Sequence, residues 1–225
     1  KWGDEIVGNL PGVGEKRTPG PLFHEESVQK ALKAGGLLDQ YIEYVKHPRI
    51  GHLPYSQTRS SDDIGFDTEN FRDQEVVVTE KMDGENTTLY ADGYSHARSI
   101  DSGYHPSRTR IKALAEAIKG DIPYGWRICG ENMSFKHTIE YENIPVFIIH
   151  SIWDGDRMLD YDTSREWAEL IRADRTDIDI APILYRGVYD EKKIQEAWDP
   201  KGQYGTREGF VVRRADGFSY GEYNK

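Results

Sequence analysis

Short apolar runs and helical periodicities alternate along the chain of 225 residues and predict its secondary structure. A helical period covers 26–46 and breaks at Gly35-Gly36, and Thr163 is the predicted N-cap of a later helix. Asp216-Gly217 predicts a hairpin between the last two strands. Strand pairs interrupted by helices indicate an α+β fold of largely antiparallel sheets flanked by helices. Strands are predicted over 75–80, 86–90, 96–101, 126–131, 146–153, 208–214 and 218–223, and further helices over 107–119, 163–172 and 191–198.

The first 45 residues differ in pattern from the rest of the chain. We predict residues 1–45 to be an N-terminal extension that is helical in part, and residues 46–225 to be the main domain. Residues 10–17 are rich in glycine and weakly resemble a helix-hairpin-helix turn. Pro19 and Pro21 interrupt the second helix that such a motif needs, so we interpret this segment as a surface loop.

Charge and composition limit the classes of partner. The formal net charge of −10 excludes a protein that wraps nucleic acid without specificity, because each neutralised phosphate needs a cation. It permits a short basic groove, and segments 96–112 and 207–214 carry more Arg and Lys than Asp and Glu. The single cysteine, Cys129, excludes an internal disulfide, and no apolar run is long enough to span a membrane. We predict a cytoplasmic monomer without a membrane partner.

Lys81 is the most informative residue of the sequence. It follows an almost uniformly apolar strand and precedes the turn Asp83-Gly84. Burial and nearby cations lower the pKa of a lysine from its usual value of ~10.4 and free the lone pair for nucleophilic attack. Gly84 allows backbone to approach a ligand closely. Taken alone, the tetrapeptide equally fits a hairpin that carries a surface lysine.

Three segments in order resemble motifs of the covalent nucleotidyltransferase superfamily, which contains the ATP-dependent DNA and RNA ligases and the mRNA capping guanylyltransferases. Residues 81–84 resemble motif I, Gly130-Glu131 resembles motif III and residues 208–212 resemble motif IV. Asn86 lies five residues after the lysine, and an asparagine at this spacing resembles the RNA ligases of the second phage type and their bacterial relatives. The resemblance covers about residues 46–223 and implies an ATP-grasp-like ligase adenylation fold.

The resemblance implies an ATP-dependent RNA ligase. Such an enzyme joins 5′-phosphate and 3′-hydroxyl RNA ends through lysyl-AMP and RNA-adenylate intermediates, with ATP as co-substrate and Mg²⁺ or Mn²⁺ as the metal. DNA ligase and mRNA capping guanylyltransferase remain alternative enzymes of the same superfamily. A non-catalytic nucleotide- or RNA-binding module remains an alternative of another class, and the lack of a clear motif V favours it.

The same resemblance implies a role for each matched residue. Lys81 would attack the α-phosphorus of ATP, Glu80 would accept from the adenine amino group and Arg98 would bind phosphate or ribose. Glu131 would accept from a ribose hydroxyl, and Glu208 would ligate the metal. The remaining catalytic candidates of motif I are Asp83, which we interpret mainly as a turn-stabilising residue, and Gly84; Met82 is a nucleotide-binding candidate.

Four further site candidates differ from the family pattern in residue type or in spacing, or are alternatives to such a residue. His150 stands where relatives usually have a phenylalanine that stacks on adenine, and Phe147 is the alternative stacking residue. Arg213 stands where relatives often have a lysine. Lys225 lies slightly too early for motif V, so either motif V lies beyond residue 225 or Lys225 stands in for part of it. For the RNA end, the candidates are Asn86, Arg108 and Arg110.

Overall fold

The computed structural model describes residues 26–35, 37, 43–56, 64–100, 102–135 and 138–223. The glycine-rich segment 10–17 and Lys225 lie outside these residues. The helices are α1 (Glu26–Ala34), α2 (Thr109–Ile118), α3 (Tyr161–Arg172) and α4 (Glu191–Glu196). The strands are β1 (Glu75–Lys81), β2 (Glu85–Tyr90), β3 (Ser95–Ala97), β4 (Trp126–Asn132), β5 (Phe147–Asp154), β6 (Arg157–Met158), β7 (Ile178–Ile180), β8 (Ile183–Val188), β9 (Lys201–Gly202), β10 (Gly205–Thr206), β11 (Gly209–Arg214) and β12 (Phe218–Ser219).

Two sheets form the body of the α+β fold, which the sequence predicted correctly. Within the described residues, the larger sheet has the order β12-β6-β5-β4-β2-β3, and β7 pairs with β5 in parallel. The smaller sheet has β1 at its centre, between β11 and β8, and both pairings are antiparallel. Predicted strands of motifs I and IV are therefore neighbours in one sheet, while the strand of motif III belongs to the other.

Helices α2 and α3 cover one face of the larger sheet. Their apolar positions recur at helical spacing, so each helix turns one stripe towards the strands. Each fully buried aliphatic side chain contributes about 1.5–3 kcal/mol by leaving water, which makes this cluster the main stabilising core. Its members include Leu89, Ile111, Leu114, Ile118, Ile128, Phe147, Ile149, Ile152 and Ile171.

The C-terminal segment differs from the predicted hairpin. β11 pairs with β1, whereas β12 pairs with β6, so the turn at Asp216-Gly217 passes the chain from the smaller sheet to the larger one. The reason is burial, because Phe218 packs against Trp153 in the cluster on the second face of the larger sheet. A turn dipeptide predicts a reversal and leaves the strands' partners open.

Three further expectations on secondary structure need correction. The N-cap of α3 is Asp160, which accepts from the Thr163 backbone N–H at 2.9 Å, so Thr163 is inside the helix. The strand expected over 96–101 is limited to β3, and the sequence analysis missed β7 and β8. The part of the chain that the structure describes contains no helix long and apolar enough to cross a membrane.

Gly130 on β4 leaves no room for a side chain beside β5. A Cβ atom there would be 2.3 Å from the Ile148 carbonyl oxygen and 2.6 Å from Phe147 Cζ. We expect Gly130→Ala to lower the free energy of unfolding by about 1–3 kcal/mol, because the neighbouring strand must move. Urea denaturation measures the loss. Gly120→Ala is the matched control, since a Cβ at Gly120 meets nothing within 4 Å; equal losses in both variants would contradict this prediction.

Candidate active site

A cavity of about 520 Å³ opens between the two sheets. Both sheets contribute to its walls, together with the segment around His47 that precedes β1. Eleven of the fifteen residues that the sequence singled out line this cavity, and they come from all three motifs. These are Glu80, Lys81, Met82, Asp83, Gly84, Asn86, Arg98, Glu131, His150, Glu208 and Arg213.

The pairing of β1 with β11 brings motif I against motif IV. Lys81 lies opposite Gly209 in this register, and its Nζ donates to Glu208 Oε1. The amine is less buried than the apolar strand suggested, because 43% of the Lys81 side chain is exposed. Its partner in the free protein is thus a carboxylate at the cavity.

The turn after Lys81 is fixed by contacts of its own. The Asp83 backbone N–H donates to the Tyr141 hydroxyl at 2.7 Å, and Asp83 Oδ2 accepts from the backbone N–H groups of Thr138 and Ile139. These bonds support the interpretation of Asp83 as a turn-stabilising residue. A Cβ at Gly84 would be 2.7 Å from Glu131 Cβ, so only glycine allows the turn to lie this close to β4.

Glu80 points away from Lys81, as alternation along β1 requires. Its Oε2 accepts from Arg207 Nε at 2.8 Å, and only 1% of the Glu80 side chain is exposed. Arg207 also donates from Nη1 to the Asp199 carbonyl at 2.9 Å. This ion pair was not predicted from the sequence.

Asn86, Glu131 and His150 form one hydrogen-bonded group. The register of β2 and β4 sets Asn86 directly opposite Glu131. Asn86 Nδ2 lies 3.4 Å from Glu131 Oε1 and 3.2 Å from His150 Nε2, and His150 Nδ1 lies 3.0 Å from the Ser151 hydroxyl. Asn86 Oδ1 is buried without a hydrogen-bond partner among the described residues.

A β-bulge puts His150 in this group. Cys129 pairs with Ser151 and Gly130 pairs with Ile149, so His150 is the extra residue of β5 between two paired positions. Its backbone carbonyl accepts instead from Arg213 Nη1 at 2.9 Å. The bulge interrupts the period of two, so His150 and Ser151 both contact groups on the side of the sheet away from α2 and α3.

Burial shifts the proton affinity of two groups in the cavity. It raises the pKa of Glu131 from 4.5 to about 8, although Asn86 and Lys81 oppose the shift. For His150, burial and the positive charge of Arg213 hold the pKa well below its usual value. Glu131 therefore carries a proton near neutral pH in the free protein, whereas the His150 ring is neutral.

The raised pKa of Glu131 predicts that stability depends on pH. Between about pH 5 and pH 8 the folded Glu131 holds a proton that the unfolded chain has released, so the free energy of unfolding falls as the pH rises. We expect this loss to be on the order of a few kcal/mol and to be complete above about pH 8. Urea denaturation from about pH 5 to about pH 9 measures it. Glu131→Gln carries no titrating proton, and an unchanged pH slope in that variant would rule out Glu131 as the source.

Three predicted site residues are not brought to the cavity, and a fourth lies outside the described residues. Phe147 is fully buried in the core under α2 and α3, so it offers no ring for stacking. Arg108 donates from Nε to Glu85 Oε2 at 2.9 Å and from Nη1 to the Gly103 carbonyl, and its expected contact with the RNA end stays a prediction. Arg110 is exposed on α2. Lys225 lies outside the described part of the chain.

The sequence analysis missed four residues that shape the cavity or its surroundings. Ile148 and Ala181 add apolar wall beside Met82, and the His47 ring meets the His150 ring edge-on at a centroid distance of 5.1 Å. Arg207 holds Glu80. The continuous apolar run in β5 was a usable signal for Ile148, because such a run predicts apolar side chains on both faces of the strand. His47, Ala181 and Arg207 lie outside regular elements and had no such signal.

The donors at the cavity fit a divalent cation that also binds phosphate. Glu208 offers hard carboxylate oxygens, with 31% of its side chain exposed. No group of three or more His, Cys, Asp or Glu side chains in the described ranges is arranged to hold a metal ion by itself. Mg²⁺ commonly uses one or two carboxylates together with substrate phosphates and water. The side chains are consistent with that arrangement.

Comparison with known proteins gives a family and a fold. The RNA ligase family model matches residues 74–224. Two variants of Naegleria gruberi RNA ligase, both with AMP and Mn, match with TM-scores of 0.51 at 20% identity, over 68% and 67% of this chain and 51% and 50% of theirs. This chain thus spans about half the length of these solved structures. No curated protein gives a significant match.

Proposed function

This chain belongs to the RNA ligase family, and on that basis we propose that it joins RNA ends with ATP through a lysyl-AMP intermediate on Lys81. The observation that carries the proposal is the meeting of Lys81, Glu131 and Glu208 at one cavity, although 127 residues separate Lys81 from Glu208. Titratable groups from both sheets that converge on one cavity are typical of a catalytic site.

In the first step, the Lys81 amine attacks the α-phosphorus of ATP. An N–P bond forms, the bond from the α-phosphorus to the bridging oxygen breaks, and pyrophosphate leaves with the electron pair. Lys81 must first lose its ion pair with Glu208 and one proton, because an ammonium has no lone pair. Arg98 and Arg213 offer positive charge at the cavity for the phosphates, and the latter is fixed by its bond to the His150 carbonyl.

In the second and third steps, AMP passes to a 5′-phosphate end and is then displaced by a 3′-hydroxyl. Asn86 would help hold the RNA end, and the support for this role is its buried, unpartnered acceptor Oδ1 at the cavity that Lys81 also lines. Arg110 extends the positive charge along the exposed side of α2. Each step is an in-line transfer at phosphorus, so positioning and charge neutralisation supply most of the catalysis.

The nucleotide base is expected beside Met82, Ile148 and Ala181, which form the apolar part of the cavity. Glu80 lies at the same end, where a carboxylate oxygen that Arg207 does not occupy can accept from an adenine amino group. Guanine presents a carbonyl at that position, so this arrangement favours ATP. Glu131 is the acceptor for a ribose hydroxyl.

Glu208 is the residue that would hold Mg²⁺ or Mn²⁺, and the ion supplies charge neutralisation for the triphosphate. Residues 46–225 are proposed as the adenylylation domain, with residues 1–45 as an extension. The cytoplasmic location and the monomeric state stay predictions from composition.

Transfer of label from α-³²P-ATP to the protein tests the proposal. We expect an acid-labile AMP adduct in the presence of Mg²⁺ or Mn²⁺, followed by joining of an RNA with a 5′-phosphate to one with a 3′-hydroxyl. Labelling by GTP alone would indicate a capping enzyme, and joining of DNA alone would indicate a DNA ligase. Binding of ATP or RNA without an adduct would identify a non-catalytic module.

A further inference from the structure

His150 stands where relatives usually have a phenylalanine that stacks on adenine. Its ring makes polar contacts through both nitrogen atoms. His150 Nε2 contacts Asn86 Nδ2, and His150 Nδ1 contacts the Ser151 hydroxyl. Only 10% of the His150 side chain is exposed, so little of the ring face is free to cover a base. These contacts favour a role for His150 other than adenine stacking.

The partners determine which atoms donate. An amide NH₂ only donates, so a neutral His150 that accepts at Nε2 carries its proton on Nδ1 and donates it to Ser151. Ser151 also accepts from Trp153 Nε1 at 3.3 Å. The low pKa of His150, caused by burial and by Arg213, agrees with a neutral ring. Every polar atom of the ring then has a matched partner.

The same contacts fix the orientation of the Asn86 amide. Both N–H groups of Nδ2 are used, one by Glu131 Oε1 and one by His150 Nε2. Oδ1 is left as a buried acceptor without a partner in the described part of the chain. A buried acceptor of this kind costs about 1–3 kcal/mol unless a ligand satisfies it. Asn86 lines the cavity, so a bound substrate is the available donor.

We propose that His150 is a positioning residue that holds the Asn86 amide with Oδ1 directed at a ribose hydroxyl of the bound RNA end. The β-bulge at His150 and the bond from Arg213 Nη1 to its carbonyl keep the ring in place. This inference rests on the proposed RNA-joining function. It adds that His150 on β5 sets the orientation of the Asn86 amide on β2.

A double-mutant cycle tests whether His150 acts through Asn86. His150→Phe restores the family's aromatic residue but removes the acceptor at Nε2. We expect about a tenfold lower rate of RNA joining from His150→Phe in the wild-type background, and less than about a twofold effect in the Asn86→Ala background. A stacking role predicts no loss from His150→Phe, or the same loss in both backgrounds, and either result would overturn the proposal.

Rescue by a conservative variant gives a second readout in the full-length protein. The Oε1 of glutamine in His150→Gln reaches the position of Nε2 and accepts from Asn86. We expect His150→Gln to join RNA at least about three times faster than His150→Phe, at equal melting temperatures. If the two variants join RNA at the same rate, His150 does not act as an acceptor. This comparison does not need Asn86→Ala, so it also decides the question if that variant joins RNA too slowly for the double-mutant cycle. Failure of the wild-type protein to form lysyl-AMP would instead contradict the proposed function itself.

Discussion

Lys81→Ala is expected to abolish labelling of the protein by α-³²P-ATP, with a loss of at least about 1,000-fold in the rate of adduct formation. The reason is chemical, because the variant has no amine to form the N–P bond. The fold should remain intact. The Lys81–Glu208 pair is partly open to solvent, and ion pairs near the surface contribute about 0–1 kcal/mol to the free energy of unfolding.

Lys81→Arg is the matched control for charge. Arginine keeps a positive group that can pair with Glu208, but a guanidinium does not deprotonate in proteins and so supplies no nucleophile. We expect the same loss of labelling in this variant. RNA that already carries a 5′-adenylate needs no bond to Lys81, so both variants should seal it with a much smaller loss. Labelling of either variant at more than about 1% of the wild-type rate would place the nucleophile elsewhere.

The sequence located the strands that carry this site, and the structure adds how they pair. Alternation and motif order located β1, β4 and β11, and an antiparallel partner for β1 brings Lys81 next to Glu208. The predicted positions of Asn86 and Glu131 are likewise joined by register, because they pair directly across β2 and β4. The strands and the candidate residues were predicted, whereas the registers that bring the residues together come from the structure.

The parts that the sequence did not predict depend on irregular backbone. A one-residue bulge moves His150 out of the alternation of side chains along β5, and no residue type in β5 predicts a bulge. The same limit applies to Phe147, whose face of the strand is decided by the packing of α2 and α3. The Arg207 contact with Glu80 arises from the connection between β10 and β11, and irregular backbone of this kind has no periodic signal.

Arg207→Ala is expected to give the largest loss of stability among single substitutions near the site, about 3–5 kcal/mol in the free energy of unfolding. Glu80 is only 1% exposed and Arg207 only 13%, so removal of the guanidinium leaves a buried carboxylate without its cation. The variant also loses the bond from Arg207 Nη1 to the Asp199 carbonyl, which holds the loop before β11. Urea denaturation at constant pH measures the loss.

Two comparisons separate the buried charge from other effects of Arg207→Ala. Combining it with Glu80→Gln removes the unpaired charge, so we expect the double variant to recover at least about half of the lost stability. Arg165→Ala removes an exposed partner of Glu169 on α3 and should change the free energy of unfolding by less than about 0.5 kcal/mol. If the double variant is no more stable than Arg207→Ala, the loop contact is the cause, because the charge on Glu80 then carries no penalty. A recovery would instead show that the ion pair with Arg207 holds Glu80 in place at the cavity, the condition that adenine recognition by Glu80 requires.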